Sequence, residues 1–132
     1  MDENEKRNLY ETMKSVIESA INEKINNPKW SNKIKNVNIK AQLTLQVDKN
    51  DLVTFKLILD KGSVSFEPGT VENYDLELIA DPEDLMWFCN KKYNTLTMLF
   101  KKNKFGFKKL RIKKGGRNAK KLLLLSKLLV FE

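Results

Sequence analysis

YDLELIADPEDLMWFCN, residues 74–90, carries the two signals on which the fold turns. Its first half alternates: Tyr74, Leu76, Leu78 and Ala80 point one way and Asp75, Glu77 and Ile79 the other, the period of a strand with one buried face. Its second half is a helix start. Asp81 can accept backbone N–H bonds as N-cap, Pro82 suits the first helical position, and Glu83 and Asp84 complement the positive end of the helix dipole. A strand therefore feeds a helix running through Leu85, Met86, Trp87, Phe88 and Cys89 to about Asn90. Capping accounts for the three neighbouring carboxylates, and no metal site is expected from them.

Upstream, residues 37–47 alternate more cleanly still. Val37, Ile39, Ala41, Leu43, Leu45 and Val47 share one face, while Asn38, Lys40, Gln42, Thr44 and Gln46 share the other. A turn at 48–51 and a second strand at 52–59 predict an antiparallel hairpin. Asp60, Lys61 and Gly62 form the next turn, with glycine free to take positive φ. A short strand at 63–67 follows, with Val64 and Phe66 on one face, and Pro68, Gly69 and Thr70 break it. Residues 3–26 read as a one-sided helix with Leu9, Met13, Val16, Ile17, Ala20, Ile21 and Ile25 at spacings of three and four. Asn26, Asn27 and Pro28 end it. Trp30 then lies in a polar linker as a core or edge plug.

Downstream, a short helix begins at Asn94 or Thr95 and holds Leu96, Met98, Leu99 and Phe100. Lys101, Lys102 and Lys104 suit the negative end of its dipole. Phe105, Phe107, Leu110 and Ile112 then form a basic, strand-like run, and Gly115 and Gly116 stand at the joint before a leucine-rich helix over 118–131. The helical period places Ala119, Leu122, Leu123, Ser126, Leu129 and Val130 on one stripe, wide enough to dock on a core. The opposite face reads Lys120, Lys121, Leu124, Lys127, Leu128 and Phe131. Leucines among lysines suit a helix whose second face meets a bound ligand, a bilayer surface or a partner. A helix inserted between two layers gives the same pattern.

The chain has 132 residues, 41% of them hydrophobic and 32% charged, a composition that fits one soluble domain over 1–132. No run reaches the roughly 18 to 20 apolar residues that a membrane-spanning helix needs. The charged N-terminus has no apolar signal region, so the expected compartment is cytoplasmic. Cys89 is the only cysteine and there is no histidine. An internal disulfide is excluded, and the commonest general base and commonest metal ligand are both missing. Nothing resembles a nucleophile with its base, a phosphate loop or a metal set, so no enzyme activity and no cofactor are expected.

Charge is segregated along the chain. Residues 1–84 hold 16 acids and 11 bases, whereas residues 85–132 hold 1 acid and 14 bases, giving −5 and +13. A field of that kind draws in an anionic partner, whether phosphate-bearing lipid, acyl-carrier head group, nucleic acid or acidic protein.

In its order of elements the chain resembles the sterol carrier protein 2 family. The resemblance rests on the strand pair, the turn at Asp60, Lys61 and Gly62, the strand YDLELIA, the acid-capped helix DPEDLMWF, and the basic strand from Lys109 through Leu110 and Ile112 to Gly115. A leucine-rich terminal helix completes it. The resemblance covers roughly 37–131, with the helix at 3–26 fitting in kind. It departs at Asn90, Lys91 and Lys92 and at Lys108, where family members carry glycines, and in the extra charged stretch 101–109.

The resemblance implies an α+β fold, a curved, mainly antiparallel five-stranded sheet covered on one side by helices. It also implies an apolar cavity between sheet and helices, and non-catalytic lipid binding or transfer with a fatty acyl, acyl-CoA, isoprenoid or sterol-like tail inside. Candidate ligand contacts are Phe66, Met86, Phe88, Met98, Phe100, Phe107, Leu124, Leu128 and Phe131. Lys101, Lys102, Lys104, Lys108, Lys109, Lys120 and Lys121 are candidates for meeting an anionic surface such as a membrane. A second reading is an RNA- or DNA-binding module over 101–121, where Phe100, Phe105 and Phe107 interleave with 11 bases, two of them arginines. A third is an interaction module with Leu124, Leu128 and Phe131 as a dimer patch.

Overall fold

The computed structural model describes residues 1–114 and 118–132, so the glycine joint at Gly115 and Gly116 lies outside the described residues. The chain opens with α1 (Glu3–Ile25), capped by the Asp2 carboxylate, which accepts from the Glu5 N–H at 2.8 Å. Met13, Ile17, Ala20 and Ile21 are its buried stripe. The segment after it is not a linker. Asn27 accepts from the Lys29 N–H at 2.9 Å and Pro28 takes the first turn of a second helix, α2 (Pro28–Ile34). The same cap-then-proline arrangement that starts the helix after Asp81 starts this one, so Pro28 ends one helix by beginning the next. Trp30 packs against the core from α2, and its indole N–H donates to Glu132 Oε1 at 2.7 Å.

Five strands follow: β1 (Asn38–Asp48), β2 (Asp51–Asp60), β3 (Ser63–Pro68), β4 (Leu76–Ala80) and β5 (Leu110–Lys114). They form one sheet in the order β3-β2-β1-β4-β5. All neighbours run antiparallel except β1 and β4, which are parallel, with Leu43 beside Phe55 on one side and Leu78 on the other. The β2–β3 turn holds Lys61 at φ 50° and Gly62 at φ 84°, the two consecutive positive values that tight hairpin turns of this hand demand. To reach β4 the chain crosses the sheet face away from the helices, where the Val71 N–H donates to Gln42 Oε1 at 3.4 Å. The exposed edge at β3 is covered by α1: Glu18 Oε2 accepts from the Phe66 N–H at 3.1 Å, and Lys14 pairs with Glu67 at 3.1 Å.

β4 runs into α3 (Pro82–Cys89), with Asp81 Oδ1 accepting from the Glu83 N–H at 2.9 Å. Then come α4 (Thr95–Phe100), capped by Asn94, and α5 (Ala119–Leu128). The inward face of β1, Ile39, Ala41, Leu43 and Leu45, is fully covered. Its other face is not the open polar surface that alternation implies, because Thr44 and Gln46 are buried there, as is Ile79 of β4 beside Thr44.

The cause at Gln46 is the stretch 101–109. Phe105 and Phe107 do not extend β5. The chain folds back on itself, with the Lys109 N–H donating to the Lys101 carbonyl at 2.9 Å and the Asn103 N–H to the Phe107 carbonyl at 2.6 Å. Asn103 Oδ1 accepts from the N–H groups of Phe105 and Phe107 at 2.9 and 3.1 Å, and its Nδ2 donates to Gln46 Oε1 at 3.3 Å. Arg111 Nη2 donates to the same oxygen at 3.0 Å. At the end of α4 the Lys101 backbone N–H donates to the Thr97 carbonyl at 2.9 Å, and the Lys108 ammonium donates to the Phe100 carbonyl at 3.0 Å.

α5 is rotated from its expected orientation. Leu125, Leu128 and Leu129 are buried, whereas Leu123 is 55% exposed and Ala119 faces solvent. Its two ends set the rotation. Asn118 Nδ2 donates to the Asp75 carbonyl at 3.0 Å and Lys121 pairs with the Asp75 carboxylate at 3.1 Å. At the far end the Phe131 N–H donates to the Cys89 carbonyl at 2.9 Å, and Lys24 Nζ to the Val130 carbonyl at 2.6 Å.

Candidate functional site

The inward strand faces and the last three helices leave a space of about 40 Å³ between them. Ala41, Leu43, Leu57 and Leu78 form its floor, Leu85 and Phe88 of α3 one wall, and Thr95 and Met98 of α4 another. Leu110 of β5 and Leu122, Leu125, Ser126 and Leu129 of α5 close it. No polar surface lines it: the Ser126 hydroxyl is turned back onto its own helix, donating to the Leu123 carbonyl at 2.8 Å. Such a space can take hydrocarbon. The nearby Cys89 thiol is sealed in the core, and burial pushes it up to about 12. The volume is room for about three waters by the usual measure, against several hundred cubic ångströms for a typical ligand pocket.

Phe88 and Thr95 also line a surface groove with Lys91, Tyr93, Asn94 and Val130. These two side chains therefore border both the apolar space and the groove. Lys91 sits at φ 67° directly after the α3 cap, which turns the chain sharply at the groove's edge.

Of the nine expected ligand contacts, Phe88 and Met98 line the space. Phe66 is locked in a stack with Phe55, 4.9 Å between ring centres, and Tyr10, 6.1 Å away, on the α1 side. Leu128 is fully buried core and Met86 and Phe131 are partly buried against it. Leu124 faces a separate shallow groove with Val37, Lys120 and Lys121. Phe100 and Phe107 point outward, Phe107 lying under the Arg111 guanidinium at 4.3 Å. The lining residues that sequence reasoning missed as contacts include Leu122, Ser126 and Leu129. They belong to the stripe read as an ordinary docking face. A helix that closes a small space presents the same period as one that packs solidly.

The lysines divide into two groups. Lys109 turns inward, donating to Asp84 Oδ1 at 3.0 Å and lying 4.6 Å from the centre of the Tyr93 ring. Burial works against its charge, but the Asp84 carboxylate outweighs that and the ammonium is held above its usual value. Lys109 is thus part of the packing and does not reach an outside surface. Asp84, read as a dipole partner, is its buried counter-ion. Lys104 lies 3.6 Å from Asp81 and 3.8 Å from Glu83, and Lys121 pairs with Asp75. Lys101, Lys102, Lys108 and Lys120 are exposed and form no ion pair among the described residues.

No protein-family model matches the chain, and no curated protein sequence matches it. Solved structures do share its fold. One described as UbiJ-SCP2, a ubiquinone synthesis protein, superposes with a TM-score of 0.59 at 11% identity, covering 98% of this chain and 95% of that one. The apo form of sterol carrier protein 2 from Yarrowia lipolytica does so with a TM-score of 0.52 at 18% identity, covering 89% of this chain and 91% of that one. The α+β arrangement anticipated from the order of elements is the observed one: a sterol-carrier-protein-2-like sheet, mostly antiparallel, with one parallel pair.

Proposed function

We propose that this chain is a single, non-catalytic lipid-binding domain that holds the apolar tail of a fatty acyl, acyl-CoA, isoprenoid or sterol-like ligand between its sheet and helices and carries it in the cytoplasm. The observation that carries this reading is the space lined only by apolar surface between Leu43, Leu78, Phe88, Met98 and Leu125. It lies inside a fold shared with proteins described as a sterol carrier and a ubiquinone synthesis protein. A tail is bound without polar contacts, since each buried methylene contributes about 0.8 kcal/mol. Eight methylenes therefore supply about 6 kcal/mol toward parting α4 from α5. The head group lies at the Phe88–Thr95 end, in reach of the Lys91 groove, and the free lysines of the basic half draw the protein to anionic head groups.

The nucleic-acid reading draws less support. Lys109 and Lys121 are committed to carboxylates and Arg111 stacks on one face of Phe107, so these basic side chains are engaged within the fold.

Native mass spectrometry of the purified protein, set against its denatured mass, tests the proposal. A reproducible excess of a few hundred daltons, lost on denaturation, is expected. A bare mass together with no uptake of fluorescent fatty acids would sink it.

A further inference from the structure

α4 is two-faced in an unusual way for so short a helix. Met98 points into the closed space and is 2% exposed, while Leu96 and Phe100, one turn apart on the outer side, are 64% and 65% exposed. Side chains of that size left open at adjacent positions of one helix face are uncommon on a chain that meets only water. The charged residues that immediately flank α4 in the chain are all lysines. Lys91 and Lys92 precede the helix, Lys101, Lys102 and Lys108 follow it, all exposed, and the sequence has no carboxylate side chain between Asp84 and Glu132. Lys108 is anchored on the Phe100 carbonyl itself, which fixes one charge beside the exposed ring.

We propose that α4 docks this protein on anionic lipid bilayers, with Leu96 and Phe100 entering the head-group layer and the five flanking lysines meeting the phosphates. Two apolar side chains rimmed by lysine match a surface that is negative outside and hydrocarbon within. A nucleic acid would take the charge and leave both apolar side chains in water. Because Met98 sits on the opposite side of the same helix, a bilayer that draws α4 outward also draws one wall away from the apolar space. That coupling rests on the carrier reading; the docking does not.

Flotation of the full chain with phosphatidylcholine vesicles, with and without phosphatidylglycerol, is the test. Binding is expected only with the anionic lipid, falling about fivefold for each of Lys101→Gln and Lys102→Gln and at least about tenfold for Leu96→Gln combined with Phe100→Gln. Both apolar positions are open to solvent, so an unchanged thermal melt is expected for the pair. Leu52→Gln, at the exposed Leu52 far along the chain in β2, is the control and is expected to change nothing. Equal binding to neutral vesicles, an equal loss with Leu52→Gln, or retention by the double variant would overturn the proposal. So would sedimentation showing a dimer that the double variant abolishes, or salt-sensitive RNA binding without vesicle binding. Native masses of the same preparations keep the two readings apart. Cargo retained by a double variant that no longer floats supports docking through α4, and a floating protein that never carries cargo leaves docking standing and removes the carrier role.

Discussion

Lys24 Nζ donates to the Val130 carbonyl at 2.6 Å from a side chain with no exposed surface. The same ammonium reaches Glu23 Oε2 at 3.0 Å and the Ala20 carbonyl at 3.3 Å, and Glu23 Oε2 in turn accepts from the Glu132 N–H at 3.2 Å. One buried charge thus fastens the end of the chain to the first helix. Lys24→Met keeps the hydrocarbon stem but leaves the Val130 carbonyl without its donor. It is expected to cost about 2–4 kcal/mol in urea unfolding. A loss below about 0.5 kcal/mol would mean that water replaces the ammonium.

Asp75 holds the other end of α5. Its carboxylate accepts from the Lys40 N–H at 3.0 Å and from Lys121, while its carbonyl accepts from Asn118. Burial acts to raise this carboxyl, yet the Lys40 N–H and the Lys121 ammonium outweigh it and hold it below its usual 3.8. A depressed folded value adds stability that is complete above the unfolded value and is lost as pH falls through the folded one. Asp75→Asn is expected to lower stability by about 1–2 kcal/mol at neutral pH. The gap to the parent should close as pH falls below about 4. Thermal melts of both proteins from pH 7 to 2 check this, and a gap independent of pH would assign the effect to something other than the charge.

Asn103 is the keystone of the folded-back stretch 101–109, since three hydrogen bonds meet on its amide. Asn103→Ala leaves two N–H groups and Gln46 short of a partner and is expected to cost about 1–3 kcal/mol. Amide exchange should accelerate first at Phe105 and Phe107. Unchanged exchange there would show that backbone bonds alone hold the turn.

Leu125 faces the closed space from the middle of α5, away from both tethers. Leu125→Ala is expected to cost about 2–5 kcal/mol and to leave a dry apolar cavity. Part of that loss should return when benzene or a short alkane is added, read as a rise in melting temperature. No recovery would indicate that α5 settles into the gap.

The strands and caps were legible because each rests on local chemistry. The alternation along β1, the cap at Asp81 and the turn at Lys61 and Gly62 act over a few residues; the structure places the cap and the turn as expected and buries the inward face of β1, while Thr44 and Gln46 on its other face are buried as well. α2 was missed although its Asn27–Pro28 start uses the same grammar as Asp81–Pro82. Pro28 there both follows one helix and opens the next. The rotation of α5 was not legible, because Asp75, Lys24 and Cys89, which set it, are remote in sequence. Contacts within the candidate site were the least legible. Met98 and Phe100 stand two residues apart on one helix, and sequence pattern alone does not say which of them lines a cavity and which is left open to solvent. Likewise a lysine count cannot reveal that Lys109 is spent on Asp84 inside the fold.

The parallel pair at the centre of the sheet also dictates an order of assembly. β1 meets β2 across a turn of two residues, but meets β4 only after the chain has passed through β2, β3 and the crossover to join Ala41 with Leu76. Closing that longer loop costs more entropy and comes later. Leu43 and Leu57 are therefore brought together in the fast local step, while Leu78 and the helix residues Leu85 and Phe88 arrive in the slow one. Between the two steps a refolding chain displays a bare apolar floor. Pulse-labelled exchange is expected to show β1 and β2 protected before β4. A chain refolded with lipid present can close around it, without the helices ever having to part.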